Sequence, residues 1–219
     1  LDFGGYQELK ISLAREEGTS DLTNGITAED SCYEIFDKVS NDIYCSLELT
    51  KNSLNKADLE AAADLILNAG QIMIYGLGNS SAVALDFQHK LLRAGCRAAA
   101  FSDNHMQVIS AAHLTDKDVA VGISHSGSSK DIVDALKTAR ERGAKTISIT
   151  NKGRSPIVKV SDITLFTASN ETQYSILGLN SRISQLAIIS SIYYYIVNRK
   201  DISAEAVEMT ERALQNKKF

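Results

Sequence analysis

Between Gln71 and Thr167, short apolar runs take turns with stretches long enough for helices, and few architectures accept such a chain. Gln71–Tyr75, Arg97–Phe101, Asp118–Ile123, Lys145–Thr150 and Asp162–Thr167 each predict a strand. Ser80–Ala94, Asn104–Ala112 and Lys130–Arg142 predict the helices between them, with Gly95 and Gly143 closing two of these. Strands that alternate with helices predict βαβ units: a parallel sheet with helices on both faces. Right-handed crossovers leave few topologies for it. Val119-Ala120-Val121-Gly122-Ile123 carries no charge, which suits a strand buried on both faces.

Helices extend the α/β unit at both ends. Tyr6–Glu17 places Tyr6, Leu9, Ile11 and Leu13 on an amphipathic pattern, and the polar, turn-rich Gly18–Gly25 reads as a linker. Thr27-Ala28-Glu29-Asp30 offers an N-cap for a long helix running to about Asn52, and Ala57–Asn68 predicts a second. Gly178–Asn198 predicts a long apolar helix and Ser203–Asn216 the last. The only proline, Pro156, falls in an expected loop before the fifth strand. The chain starts at Leu1, within an apolar pattern, and so reads as a piece of something longer.

Composition narrows the function classes. The 219 residues are 44% hydrophobic and 23% charged, an ordinary globular balance. A net charge of -4 argues against broad, non-specific nucleic-acid binding by this chain. No apolar run approaches the roughly 20 residues that span a bilayer, so no membrane partner is expected. The start, Leu1-Asp2-Phe3-Gly4-Gly5, has no signal-peptide pattern. Cys32, Cys45 and Cys96 form no CxxC pair and read as thiols in a reducing cytosol, hence a cytoplasmic location.

In a sheet of this kind, ligands bind beyond the carboxyl ends of the strands, where the strand order reverses. Three such loops are informative: Gly76-Leu77-Gly78-Asn79-Ser80-Ser81, Ser124-His125-Ser126-Gly127-Ser128-Ser129, and Thr150-Asn151-Lys152-Gly153. The second leads into the helical pattern that starts at Lys130 and Asp131. Such a turn offers backbone N–H groups, a helix N-terminus and several hydroxyls to an anion. It holds no Lys or Arg, which favours a neutral cradle over an ionic clamp. One Ser can be a simple cap; four in six positions exceed what capping needs.

A dinucleotide fingerprint needs a third glycine where Ser81 stands, although Asp103 occupies the place of a ribose-binding acid. The hydroxyls therefore point to a phosphomonoester, with a plain tight turn at Gly76 and Gly78 as the alternative. His89, His105, His113 and His125 show no metal-ligand spacing, so neither metal nor cofactor is expected. His89 reads as a packed or surface residue in mid-helix. His105, at the head of a short helix, is a candidate ligand contact or proton carrier. Glu171, beyond the fifth strand, can bind sugar hydroxyls, abstract a proton, or simply be solvated. Ser181 and Arg182 open the long helix and can reach the same pocket.

Ser124-His125-Ser126-Gly127-Ser128-Ser129 resembles the SxSGxT signature of the sugar isomerase (SIS) fold, and Gly76-Leu77-Gly78-Asn79-Ser80 its GxGxS loop. More closely, the chain resembles the MurR/RpiR family of bacterial transcriptional regulators, with an N-terminal helix-turn-helix domain and a C-terminal SIS domain. Gly5-Tyr6-Gln7-Glu8-Leu9-Lys10 resembles the end of that DNA-binding domain, and Ser181-Arg182-Ile183-Ser184-Gln185-Leu186-Ala187 the segment opening the family's large helix. Ser129 stands where Thr is commonest, which keeps the hydroxyl.

The resemblance implies a five-stranded parallel sheet of flavodoxin-like order 2-1-3-4-5, flanked by helices, with extra N- and C-terminal helices. It divides the chain into a helix-turn-helix remnant (1–17), a linker (18–28) and an SIS domain (29–219). It implies an effector that is a phosphorylated sugar or amino sugar, with the phosphate at Ser80, Ser124, Ser126 and Ser129. Gly78, Asn79, Ser81, His125, Gly127, Ser128 and Glu171 complete the expected ligand site. The expected assembly is a homodimer or tetramer, with DNA bound through the mostly absent N-terminal domain. The rival is a phosphosugar aldose–ketose isomerase, which needs a base and an acid, and Glu171 and His105 are its candidates. A third reading is a dimerisation domain with a vestigial pocket. Fold alone does not separate them.

Overall fold

The computed structural model describes residues 25–168, 179–199 and 201–215. In chain order these form α1 (Cys32–Ser53), α2 (Lys56–Asn68), β1 (Ile72–Gly76), α3 (Asn79–Arg93), β2 (Ala98–Phe101), α4 (Asn104–Ala112) and β3 (Val119–Ile123). Then come α5 (Lys130–Glu141), β4 (Lys145–Asn151), α6 (Pro156–Lys159), β5 (Ile163–Thr167), α7 (Leu179–Val197) and α8 (Asp201–Gln215). The helix expected over Tyr6–Glu17 lies outside the described residues, as does Glu171.

The strands form one parallel sheet of order β2-β1-β3-β4-β5, as expected from the resemblance. β3 is central, and all five of its residues are buried, which explains its uncharged sequence. Side chains alternate between two cores. Ile72 and Ile74 of β1 join Val83, Phe87 and Leu91 of α3 with Ile188, Ile192 and Ile196 of α7 on one face. Tyr75 of β1 joins Ile132, Ala135, Leu136 and Ala139 of α5 with Ile157 of α6 on the other.

α5 presses closely on β3. A Cβ added to Gly122 would lie 2.6 Å from Leu136 Cδ1 and 3.0 Å from Ile132 Cγ2. This approach carries the head of α5 over the carboxyl end of β3. α3 approaches β1 in the same way, since a Cβ on Gly76 would lie 2.7 Å from the Ser80 carbonyl oxygen.

Two local expectations are corrected. The N-cap of α1 is Ser31, not Thr27: its hydroxyl accepts from Glu34 N, and the Glu34 carboxylate accepts from Ser31 N at 2.7 Å. This capping box satisfies two otherwise orphaned donors, an arrangement that a Thr27 start lacks. Thr27 instead donates its N–H to Asp30. Pro156 lies in a single helical turn, α6, at a position where its missing N–H costs nothing. Its fixed φ there suits a helix start rather than an open loop.

Candidate functional site

Gly76 and Ile123 pair at the carboxyl ends of β1 and β3, where the strand order reverses. The two hydroxyl-rich turns therefore leave adjoining strands side by side. Gly78 precedes the first turn of α3 with φ of +53°, and Gly127 sits inside the second turn with φ of +62°. Both backbones lie in the region that favours glycine. Ser81 folds its hydroxyl back onto the Gly78 carbonyl at 2.6 Å, which tightens the first turn.

The second turn is pinned from below. The His125 carbonyl accepts from Asn151 N at 3.1 Å and from Thr150 Oγ1 at 3.3 Å. The Gly127 carbonyl accepts from Ile157 N at 3.0 Å, which ties the turn to α6. Ser155 Oγ packs under Gly127, and a Cβ there would lie 2.8 Å from Thr150 Oγ1. Inside the turn, Gly127 N donates to Ser124 Oγ at 3.2 Å, and Ser128 N donates to Ser126 Oγ at 3.2 Å. Ser124 and Ser129 bring their hydroxyl oxygens to 3.3 Å. Ser124 is buried, Ser129 and His125 are half-buried, and Ser126 and Ser128 are exposed.

Among the longer helices before β5, the helix ends differ. The side chains of Ser31, Asn55 and Asp103 cap α1, α2 and α4. α3 and α5 begin at Gly78 and Ser129 with no side-chain cap. Their positive dipole ends thus face the carboxyl edge of the sheet beside the serines, while Ser80 N and Ser81 N donate to the Leu77 and Gly78 carbonyls at 3.1 Å. Asp103, the candidate ribose acid, accepts from Met106 N at 2.9 Å and so serves as a cap.

The other described candidates lie on α4 and α7. His105 is exposed in the first turn of α4, just past the end of β2. Ser181 is buried in α7, and Arg182 lines a groove of about 330 Å³ against Ala82 and Asp86 of α3. No cluster of His, Cys, Asp or Glu suited to a metal occurs among the described residues.

A concavity of about 670 Å³ opens at the opposite, amino edge of the sheet, beside Asp116, Lys117, Asp118 and Lys145. Its buried carboxylate, Asp118, already accepts from Thr115 N and Oγ1 and from Gln71 N and Nε2. Burial alone pushes the Asp118 carboxyl up, but these hydrogen bonds outweigh it and hold the group below the usual carboxylate range. Asp118 thus serves as a structural staple of that edge.

Sequence reasoning missed two residues beneath the site. Tyr75, fully buried, packs against Phe101 in a tilted arrangement with ring centroids 6.4 Å apart and accepts from Ser110 Oγ at 3.3 Å. Burial pushes its phenol up to about 12, so it stays neutral. Gln107, also fully buried, donates from Nε2 to the carbonyls of Phe101 at 2.9 Å and Gly76 at 3.4 Å. Nothing in the sequence of α4, which also holds Asn104, His105 and Ser110, marks Gln107 as the buried one.

The SIS domain family model matches residues 65–194, which include both turns and all five strands. The chain belongs to the SIS domain family. It is 39% identical over 198 residues to an uncharacterized HTH-type transcriptional regulator of Caldanaerobacter subterraneus, covering 90% of this chain and 70% of that protein. Relatives of 31% identity from Haemophilus influenzae and Clostridium perfringens are likewise named HTH-type transcriptional regulators. The sugar isomerase domain of an RpiR transcription factor from Sphaerobacter thermophilus superposes with a TM-score of 0.71 at 27% identity, over 80% of this chain and 96% of that one. Vibrio vulnificus NanR, solved in complex with ManNAc-6P, superposes with a TM-score of 0.84 at 23% identity, over 99% of this chain and 77% of that one. The fold also occurs in a phosphoheptose isomerase from Francisella tularensis, with a TM-score of 0.65 at 19% identity over 78% of this chain and all of that one.

Proposed function

We propose that this SIS domain is the effector-binding part of a transcriptional regulator of carbohydrate metabolism, and that its effector is a phosphorylated sugar or amino sugar. One observation carries the reading. Two adjoining strand ends each lead into a helix whose N-terminus no side chain caps, with Ser80, Ser81, Ser124, Ser126, Ser128 and Ser129 around them. Helix N-termini without a side-chain cap, beside hydroxyls in turns that hold no Lys or Arg, suit a phosphate monoester. The sugar then extends toward His105, and Glu171 is the further sugar contact expected from the sequence. NanR, of the same fold, was solved with a phosphosugar, and the 39% identical relative is named a transcriptional regulator.

In this reading, Ser80, Ser124, Ser126 and Ser129 hold the phosphate. Gly78, Asn79, Ser81, His125, Gly127 and Ser128 shape the cradle. The packing of α1 on α7 and β5 supports reading 29–219 as one SIS domain. The effector acts by differential affinity for two arrangements of a cytoplasmic homodimer, whose partner domain carries DNA recognition.

An isomerase on this fold is the second reading, favoured by the phosphoheptose isomerase likeness. It needs a base and an acid at the sugar carbons, for which Glu171 and His105 are the candidates.

A thermal-shift screen of sugar phosphates against their unphosphorylated parents tests both. A ligand at 100 times its Kd adds roughly 2.7 kcal/mol. Stabilisation by phosphorylated sugars only, lost in Ser126→Ala, supports the phosphate cradle. Equal effects of parents and phosphates sink it. Conversion of the best ligand on prolonged incubation selects the isomerase, and its unchanged recovery selects the sensor.

A further inference from the structure

Gln107 is 0% exposed, yet its amide is only half satisfied. Nε2 donates to the Phe101 carbonyl at 2.9 Å and reaches the Gly76 carbonyl at 3.4 Å. Oε1 is buried and has no hydrogen-bond partner among the described residues. Turning the amide over would set Oε1 against two carbonyl oxygens, so this is the orientation that pairs. A leucine fills similar space without an unmatched polar atom. The chain therefore tolerates a buried acceptor to keep two donors at this point.

Those donors meet the ends of two adjacent strands. Phe101 ends β2 and Gly76 ends β1. Gly76 also opens the turn that carries Ser80, and α3 presses on it from the other side, through the Ser80 carbonyl. Gln107 belongs to the first turns of α4, two residues past His105. Ser110 Oγ donates to the Gln107 carbonyl at 2.9 Å and also contacts Tyr75, which steadies that stretch of helix against β1.

We propose that Gln107 is a positioning residue that locks the Gly76–Ser81 turn to the head of α4, and so sets the spacing between the phosphate-binding Ser80 and the sugar-facing His105. It rests on the phosphosugar reading for its consequence, though not for the lock itself. Gln107 touches no ligand. It determines which sugar lengths and epimers fit between two contacts that belong to different elements.

The test uses the 219-residue chain. In wild type, the Gln107 side-chain NH2 protons should exchange with solvent far more slowly than those of an exposed glutamine; equally fast exchange overturns the lock. In Gln107→Leu, and in Gln107→Met should the first not fold, amides of 76–81 and 102–108 should exchange about tenfold faster, while those of 124–129 stay as in wild type. Asp118→Asn, at the far edge of the sheet, serves as a control for general destabilisation. Affinity for N-acetylmannosamine 6-phosphate and glucose 6-phosphate should fall about tenfold or more in the Gln107 variants and hold in Asp118→Asn. Equal losses in all variants mean a merely structural role. Unchanged exchange at 76–81 overturns the proposal whether or not any sugar binds. If wild type binds no phosphosugar, the phosphosugar reading fails, and the two exchange measurements still decide the lock.

Discussion

Ser124 and Ser129 stand at the two ends of the β3–α5 turn with their hydroxyl oxygens 3.3 Å apart. Only Ser124 also serves the fold, since its oxygen accepts the Gly127 N–H. Ser129 precedes α5 and makes no cap.

This difference separates two variants. Ser129→Ala should leave the melting temperature nearly unchanged and weaken phosphosugar binding about tenfold or more, the worth of one charge-assisted hydrogen bond. Ser124→Ala should lose affinity and about 1 kcal/mol of stability together. Calorimetric titration with paired thermal melts measures both. A Ser129→Ala protein with wild-type affinity would remove that hydroxyl from the site.

Gly127→Ala introduces a side chain at φ of +62° and against Thr150 Oγ1 and Ser155. The turn must shift, at a cost of roughly 1–3 kcal/mol. Binding should disappear while the sheet stays folded. Denaturant titration beside ligand titration reads the two effects, and intact binding would show that the turn does not need this conformation.

Thr50 of α1 clasps the residue that follows β5: its hydroxyl donates to the Ala168 carbonyl and accepts the Ala168 N–H, both at 3.0 Å. Thr50→Val keeps the shape and leaves that peptide without its partner. A loss of about 2 kcal/mol is expected. Hydrogen exchange should rise first in the carboxyl-terminal half of α1. Unchanged protection there would mean that the clasp contributes little.

Asp118 makes stability depend on pH. Its folded carboxyl lies below the usual carboxylate range, because hydrogen bonds from Thr115 and Gln71 outweigh burial. A depressed folded value means that the contribution is complete above the ordinary carboxylate range and is lost as pH falls through the folded value. Asp118→Ala should cost about 2–4 kcal/mol at neutral pH and flatten the acid limb of the stability curve. Urea melts across the acid range check the sign; a variant with the wild-type acid slope contradicts it.

The strands and the two site turns were legible because their signals are local. Val119–Ile123 carries its own apolar run, and Ser124–Ser129 follows it directly. The same locality misled at Thr27 and Pro156, where a plausible cap and a plausible loop residue had better-placed competitors in Ser31 and α6. The serines could be named from sequence, but their availability could not. That rests on caps that α3 and α5 lack while α1, α2 and α4 have them.

Sequence alone therefore determined the parallel α/β architecture and the position of the hydroxyl-rich turns, because periodicity and turn chemistry act over a few neighbouring residues. Tertiary structure decided the long-range bonds that tie the sheet and its edges together. The Gln107–Gly76 bond spans 31 positions, the Asp118–Gln71 bonds span 47, and the Thr50–Ala168 clasp spans 118. No local pattern announces such partners. They meet only when parallel strands, joined through helices, bring their ends to one edge, where each buried polar group must find its match.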